Sequence, residues 1–203
     1  MKLFVNLITT IRFAYTLFLP FLQTKMSETL FISNIIILFF TDLLDGFLAR
    51  KNKVQTLYGS LMDTIADKAL SIVLLCILIK KIPLMIILLI GEIVIACINT
   101  LSMIRGKKPR TRFFGKFKMW FISSTIILGY MHYYDLISSI LTIIGTICTF
   151  IMQVITTFDY IIKLRKQKSS ENPLCQVKNK KDFYYMLFNT KYYMENYRID
   201  NNK

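Results

Sequence analysis

The stretch TDLLDGFLARKNKVQTLYGSLMDTIADKAL, residues 41–70, holds Asp42, Asp45, Asp63 and Asp67, four of the seven acidic side chains in the first 158 residues. Asp42 and Asp45 are three positions apart and Asp63 and Asp67 four apart, so on a helix each pair shares a face. Four carboxylates brought together at low dielectric repel one another and take up protons unless a cation intervenes. One or two divalent cations remove that conflict, and an all-oxygen donor set suits Mg2+, Mn2+ or Ca2+ rather than zinc. Gly46, Ala49 and Gly59 lie beside the pairs. Glycine is costly inside a helix, so its presence here suggests that something bulky approaches the backbone. Arg50 supplies a fork suited to phosphate oxygens. Carboxylates, cations and an arginine beside glycine-lined space describe a site for a diphosphate.

The elements that must position these groups are unusually apolar. The chain has 203 residues, 54% of them hydrophobic, and a positive mean hydropathy. The apolar residues gather in six runs, about 4–23, 29–49, 60–79, 82–104, 117–134 and 136–158. Each has roughly the 20 residues a helix needs to cross a bilayer. A carboxylate at that depth costs roughly 2.5–3.5 kcal/mol and so signals function. The first run is too long for a signal-peptide core, carries Arg12 and lacks a small-residue cleavage site, so it is expected to remain in the mature protein. The short connection RKNKVQTLY makes the second and third spans antiparallel neighbours, with their acidic faces converging near one membrane surface.

Orientation follows from the basic residues. Lys2, the loop with Arg50, the loop from Arg105 to Lys118 and the tail from Lys163 place 21 of them on one side, against Lys25, Lys80 and Lys81 on the other. The positive-inside rule then puts both termini and the acidic cluster on the cytoplasmic side. The expected architecture is all-α, six transmembrane helices around a metal-lined cytoplasmic-side cavity. Residues 1–158 form the membrane domain and 159–203 a basic, Tyr- and Lys-rich cytoplasmic tail. The net charge of +14 reflects topology and attraction to anionic lipid rather than nucleic-acid binding. Cys76, Cys97, Cys148 and Cys175 show no metal or disulfide spacing.

The pattern Asp42-x2-Asp45-Gly46-x2-Ala49-Arg50-x8-Gly59-x3-Asp63-x3-Asp67 resembles the signature of the CDP-alcohol phosphatidyltransferases over eight positions. The segments NLITTIR, Asn6 to Arg12, and GKFKMW, Gly115 to Trp120, resemble the family's openings of the first and fifth spans. The resemblance implies transfer of a phosphatidyl group from CDP-diacylglycerol to an alcohol hydroxyl, with release of CMP. It implies that Asp42, Asp45, Asp63 and Asp67 bind Mg2+ or Mn2+, as two ions, and that Asp67 also acts as general base. It assigns Asn6, Gly46, Ala49, Arg50, Thr56 and Gly59 to the CDP donor, and it implies a homodimer.

Arg12, Glu92, Arg112, Lys116 and Lys118 are candidate acceptor contacts. For Arg12 the alternative is snorkelling to the interface, and for Lys116 and Lys118 it is a role as positive-inside anchors. YGSLMDTIADKAL resembles the branch that uses glycerol 3-phosphate, and the cardiolipin synthases that use phosphatidylglycerol. Gly91 and Thr100 stand about where the glycerol 3-phosphate branch carries arginines, which leaves a non-phosphorylated alcohol as an alternative. A divalent-cation transporter is the competing class. It would need a polar track across the whole membrane, whereas the acidic residues cluster at one end with only Glu92 deeper.

Overall fold

Each apolar run forms one long α-helix in the computed structural model, which describes residues 2–51, 57–104, 113–166 and 189, with the backbone alone for 2–6, 8, 42–51, 57, 60, 102–104, 113, 114, 116, 163, 164 and 166. The helices are α1 (Lys2–Lys25), α2 (Glu28–Lys51), α3 (Leu57–Ile79), α4 (Ile86–Ile104), α5 (Phe113–Tyr133) and α6 (Ser139–Lys166). A 3-10 turn, Pro83–Met85, leads into α4. Proline starts that turn, where its fixed φ is pre-organised and its missing N–H costs nothing. Among the described residues there is no strand. This is the outcome lipid favours, because a helix satisfies its own backbone hydrogen bonds.

Of the six expected spans, the segments Pro83–Leu101 and Ser139–Ile162 are long and apolar enough to cross a bilayer among the described residues, and Glu28–Thr41 is a shorter apolar helix. The ionisable residues inside α1, α3 and α5 (Arg12, Asp63, Asp67, Lys68, Lys116 and Lys118) lower the mean hydropathy of those helices.

α1 packs mainly on α3, while α6 packs on both α5 and α4. The apolar core runs through Leu19, Phe31, Ile35, Leu74, Leu78, Met85, Ile122, Ile126 and Tyr130. Phe31 meets Tyr130 edge-on with ring centroids 5.3 Å apart, and the Tyr130 hydroxyl donates to the Leu74 carbonyl at 3.1 Å. The turns after α3 and α5 meet at one end of the bundle. There Lys81 donates to the Tyr133 carbonyl, pairs with Asp135 at 3.0 Å and lies over the Tyr133 ring.

α6 reverses the pattern of a water-soluble amphipathic helix. Thr142, Thr146, Thr149, Gln153 and Thr156 are buried, while Ile140, Ile144, Ile147, Ile151 and Phe158 are exposed. The buried set recurs at intervals of four and three, the spacing of a packing seam. Small and polar side chains on the seam let helices approach and bond to one another, as in membrane bundles. Thr125 donates to the Gly145 carbonyl at 3.1 Å, and its hydroxyl lies 2.7 Å from that of Thr149. The apolar side of the helix faces outward.

Candidate active site

Asp63 and Asp67 lie in the second and third turns of α3, and the i, i+4 spacing aims both carboxylates at α1. There the Arg12 Nη2 atom donates to Asp67 Oδ1 at 2.9 Å and to Asp63 Oδ1 at 3.2 Å. Arg12 is 4% exposed, whereas the side chains of Asp63 and Asp67 keep 39% and 21% of their surface. The arginine therefore backs the pair from the bundle interior, and the carboxylates face the more open side. Arg12 neither snorkels nor stands apart from the acidic pair. Two carboxylates drawn to one cationic nitrogen, with an oxygen-only donor set, fit a divalent cation.

A second polar centre lies deeper. Lys118 of α5 donates to Glu92 Oε1 of α4 at 2.6 Å, with both side chains at most 5% exposed. Gln153 of α6 donates from Nε2 to the same Glu92 oxygen and to the Leu88 carbonyl, both at 3.0 Å. Its amide fills the space beside Gly91, where a Cβ would meet Gln153 Oε1 at 2.2 Å. No side chain fits at Gly91 unless that amide moves. Lys68, next in sequence to Asp67, lies within the field of both Glu92 and Lys118. α3 thus links the acidic pair to the buried centre through adjacent residues.

The remaining expected site residues divide by position. Asp42, Asp45, Gly46, Ala49 and Arg50 occupy the last turns of α2, Asn6 the first turns of α1 and Lys116 the start of α5, with their side chains outside the described set. Thr56 and Arg112 lie outside the described residues. Gly59 falls in the first turn of α3, one turn before Asp63. Lys116 and Lys118, counted above with a cytoplasmic loop, belong to helix α5. Lys118 is buried because Glu92 offsets its charge, so it is no surface anchor. No group of three or more potential metal ligands converges among the described residues. Sequence reasoning missed Gln153, although a lone glutamine in the apolar run FIMQVI was a visible signal.

Two comparisons bear on this arrangement. The CDP-alcohol phosphatidyltransferase family matches residues 2–153 of the chain. A CDP-diacylglycerol--glycerol-3-phosphate 3-phosphatidyltransferase from Aquifex aeolicus (strain VF5) is 28% identical over 155 residues, which cover 71% of this chain and 87% of that protein.

Proposed function

The chain belongs to the CDP-alcohol phosphatidyltransferase family, and we propose that it transfers a phosphatidyl group from CDP-diacylglycerol to glycerol 3-phosphate, releasing CMP. It is a phosphatidyltransferase of phospholipid biosynthesis. The observation that carries the reading to this site is the convergence of Asp63 and Asp67 on one cationic nitrogen.

Asp42, Asp45, Asp63 and Asp67 would hold Mg2+ or Mn2+, as two ions. Ions held by these carboxylates would supply charge to neutralise the diphosphate and stabilise the leaving phosphate. Arg50 binds the donor's phosphates through its planar fork, with Asn6, Gly46, Ala49, Thr56 and Gly59 lining the donor. Asp67 takes the proton of the acceptor hydroxyl as its oxygen bonds to the phosphatidyl phosphorus. The bond to the CMP oxygen breaks in the same in-line exchange, with no covalent enzyme intermediate.

Glycerol 3-phosphate is favoured as acceptor by the named activity of the Aquifex relative and by local charge. Lys68, half-buried on α3, adds a positive charge near the mutually neutralising Glu92–Lys118 pair, and a cation there suits the acceptor's phosphate. Arg112 and Lys116 are further acceptor contacts in this reading. Six spans follow from the six apolar runs, and a cytoplasmic site and cytoplasmic termini from the charge asymmetry, which is 20 to 3 with the buried Lys118 set aside. The donor's acyl chains then stay in the bilayer, and the polar acceptor arrives from the cytosol. A homodimer completes the proposal.

The test uses purified protein in detergent with Mg2+ or Mn2+ and CDP-diacylglycerol. Glycerol 3-phosphate, phosphatidylglycerol, serine, inositol phosphate and glycerol are offered in turn while CMP release is followed. Release with glycerol 3-phosphate, abolished by chelation and by Asp67→Asn, is the expected result. Release only with phosphatidylglycerol or a non-phosphorylated alcohol overturns the acceptor assignment.

A further inference from the structure

Arg12 is a buried guanidinium on α1, and its Nη2 atom bridges the Oδ1 atoms of two carboxylates on α3 at 2.9 and 3.2 Å. A guanidinium stays protonated at any accessible pH, so this charge is permanent and its burial requires lasting anionic partners. The shared nitrogen ties both aspartates to a single point on a neighbouring helix, and α1 packs closely along α3. A carboxylate has about four lone-pair sites. It can accept an N–H at Oδ1 and still ligate a metal.

We propose that Arg12 is a positioning residue: from behind the acidic pair it fixes the orientation of Asp63 and Asp67 and so sets their affinity for a divalent cation. This rests on the reading of those aspartates as metal ligands. Partners that orient a ligand from outside the coordination sphere typically change metal affinity by about 10–100-fold when removed. A lysine keeps the charge but is a compact point rather than a rigid planar fork.

The experiment titrates Mn2+ into the purified full chain in detergent and reads free Mn2+ by electron paramagnetic resonance, with no substrate present. Wild type, Arg12→Gln, Arg12→Lys and Asp63→Asn are compared, with helix content checked by circular dichroism. The expected result is affinity weakened by about 10–100-fold in Arg12→Gln, with Arg12→Lys between it and wild type. Affinity in Arg12→Gln equal to or tighter than wild type overturns the inference, because the arginine would then be a structural counter-ion or a competitor of the metal. If Arg12→Gln does not fold, Arg12→Lys decides, and wild-type affinity in that variant overturns the inference. Failure of the underlying reading has a different signature: no Mn2+ binding to wild type, or unchanged binding in Asp63→Asn.

Discussion

Replacing Gly91 by alanine tests how tightly the deep polar centre is built. The new Cβ would stand 2.2 Å from Gln153 Oε1 and 2.7 Å from Gln153 Cδ, well inside contact. The amide can retreat only by giving up its bonds to the Leu88 carbonyl and the Glu92 carboxylate. Hydrogen bonds within membrane bundles measure about 0.6 kcal/mol on average and up to about 1.7. Losing two therefore costs about 1–3 kcal/mol. Alanine favours the helix over glycine by about 0.8–1 kcal/mol, which conceals part of that loss in the single variant. The decisive quantity is thus the coupling with Gln153→Ala. Once the amide is gone, Gly91→Ala should stabilise by about 0.8–1 kcal/mol, so the sign of its effect reverses or its cost vanishes. Reversible unfolding of wild type, both single variants and the double variant in mixed micelles gives the coupling directly. Additivity within about 0.5 kcal/mol would refute the reasoning.

The buried Glu92–Lys118 pair should behave as a unit. Glu92→Gln or Lys118→Met alone leaves a buried charge without its partner and should cost about 3–5 kcal/mol, whereas the double replacement should recover most of that loss, as read by thermal unfolding in detergent. Tyr130→Phe removes the hydroxyl bond to the Leu74 carbonyl and should cost about 0.5–1.5 kcal/mol, with CMP release unchanged because the ring lies in the apolar core.

The sequence was most informative where function and local geometry coincide. The i, i+4 spacing of Asp63 and Asp67 predicts a shared face, and both side chains do meet the same nitrogen. The six apolar runs correspond to the six helices, but their ends differ for a physical reason. Hydropathy registers the apolar part of a helix, while backbone hydrogen bonding continues into its polar flanks. Hydropathy puts the sixth run at 136–158, and α6 extends from Ser139 to Lys166. Likewise α5 begins at Phe113, ahead of the apolar run starting at 117. Pairings between helices were not legible. Arg12 and Asp67 are 55 positions apart, and nothing local to either names the other. Glu92 and Lys118 each read from the sequence as acceptor contacts, yet their mutual bond depends on α4 and α5 bringing them together. Gln153 completes that centre from a third helix.

The 28 residues of α6 have a consequence for where the chain leaves the bilayer. At 1.5 Å per residue the helix is about 42 Å long, against a hydrocarbon thickness of about 30 Å. The helix absorbs that surplus by leaning or by standing proud of the lipid. Its apolar span ends at Ile162, and the turn beyond it, with Arg165 and Lys166, forms a short post. Tyr160 at the base of this post stands against Gly115 at the start of α5, at the same end of the bundle as Asp63 and Asp67. The post therefore brings the polar end of α6 beside the start of α5, at the end of the bundle that holds the acidic pair.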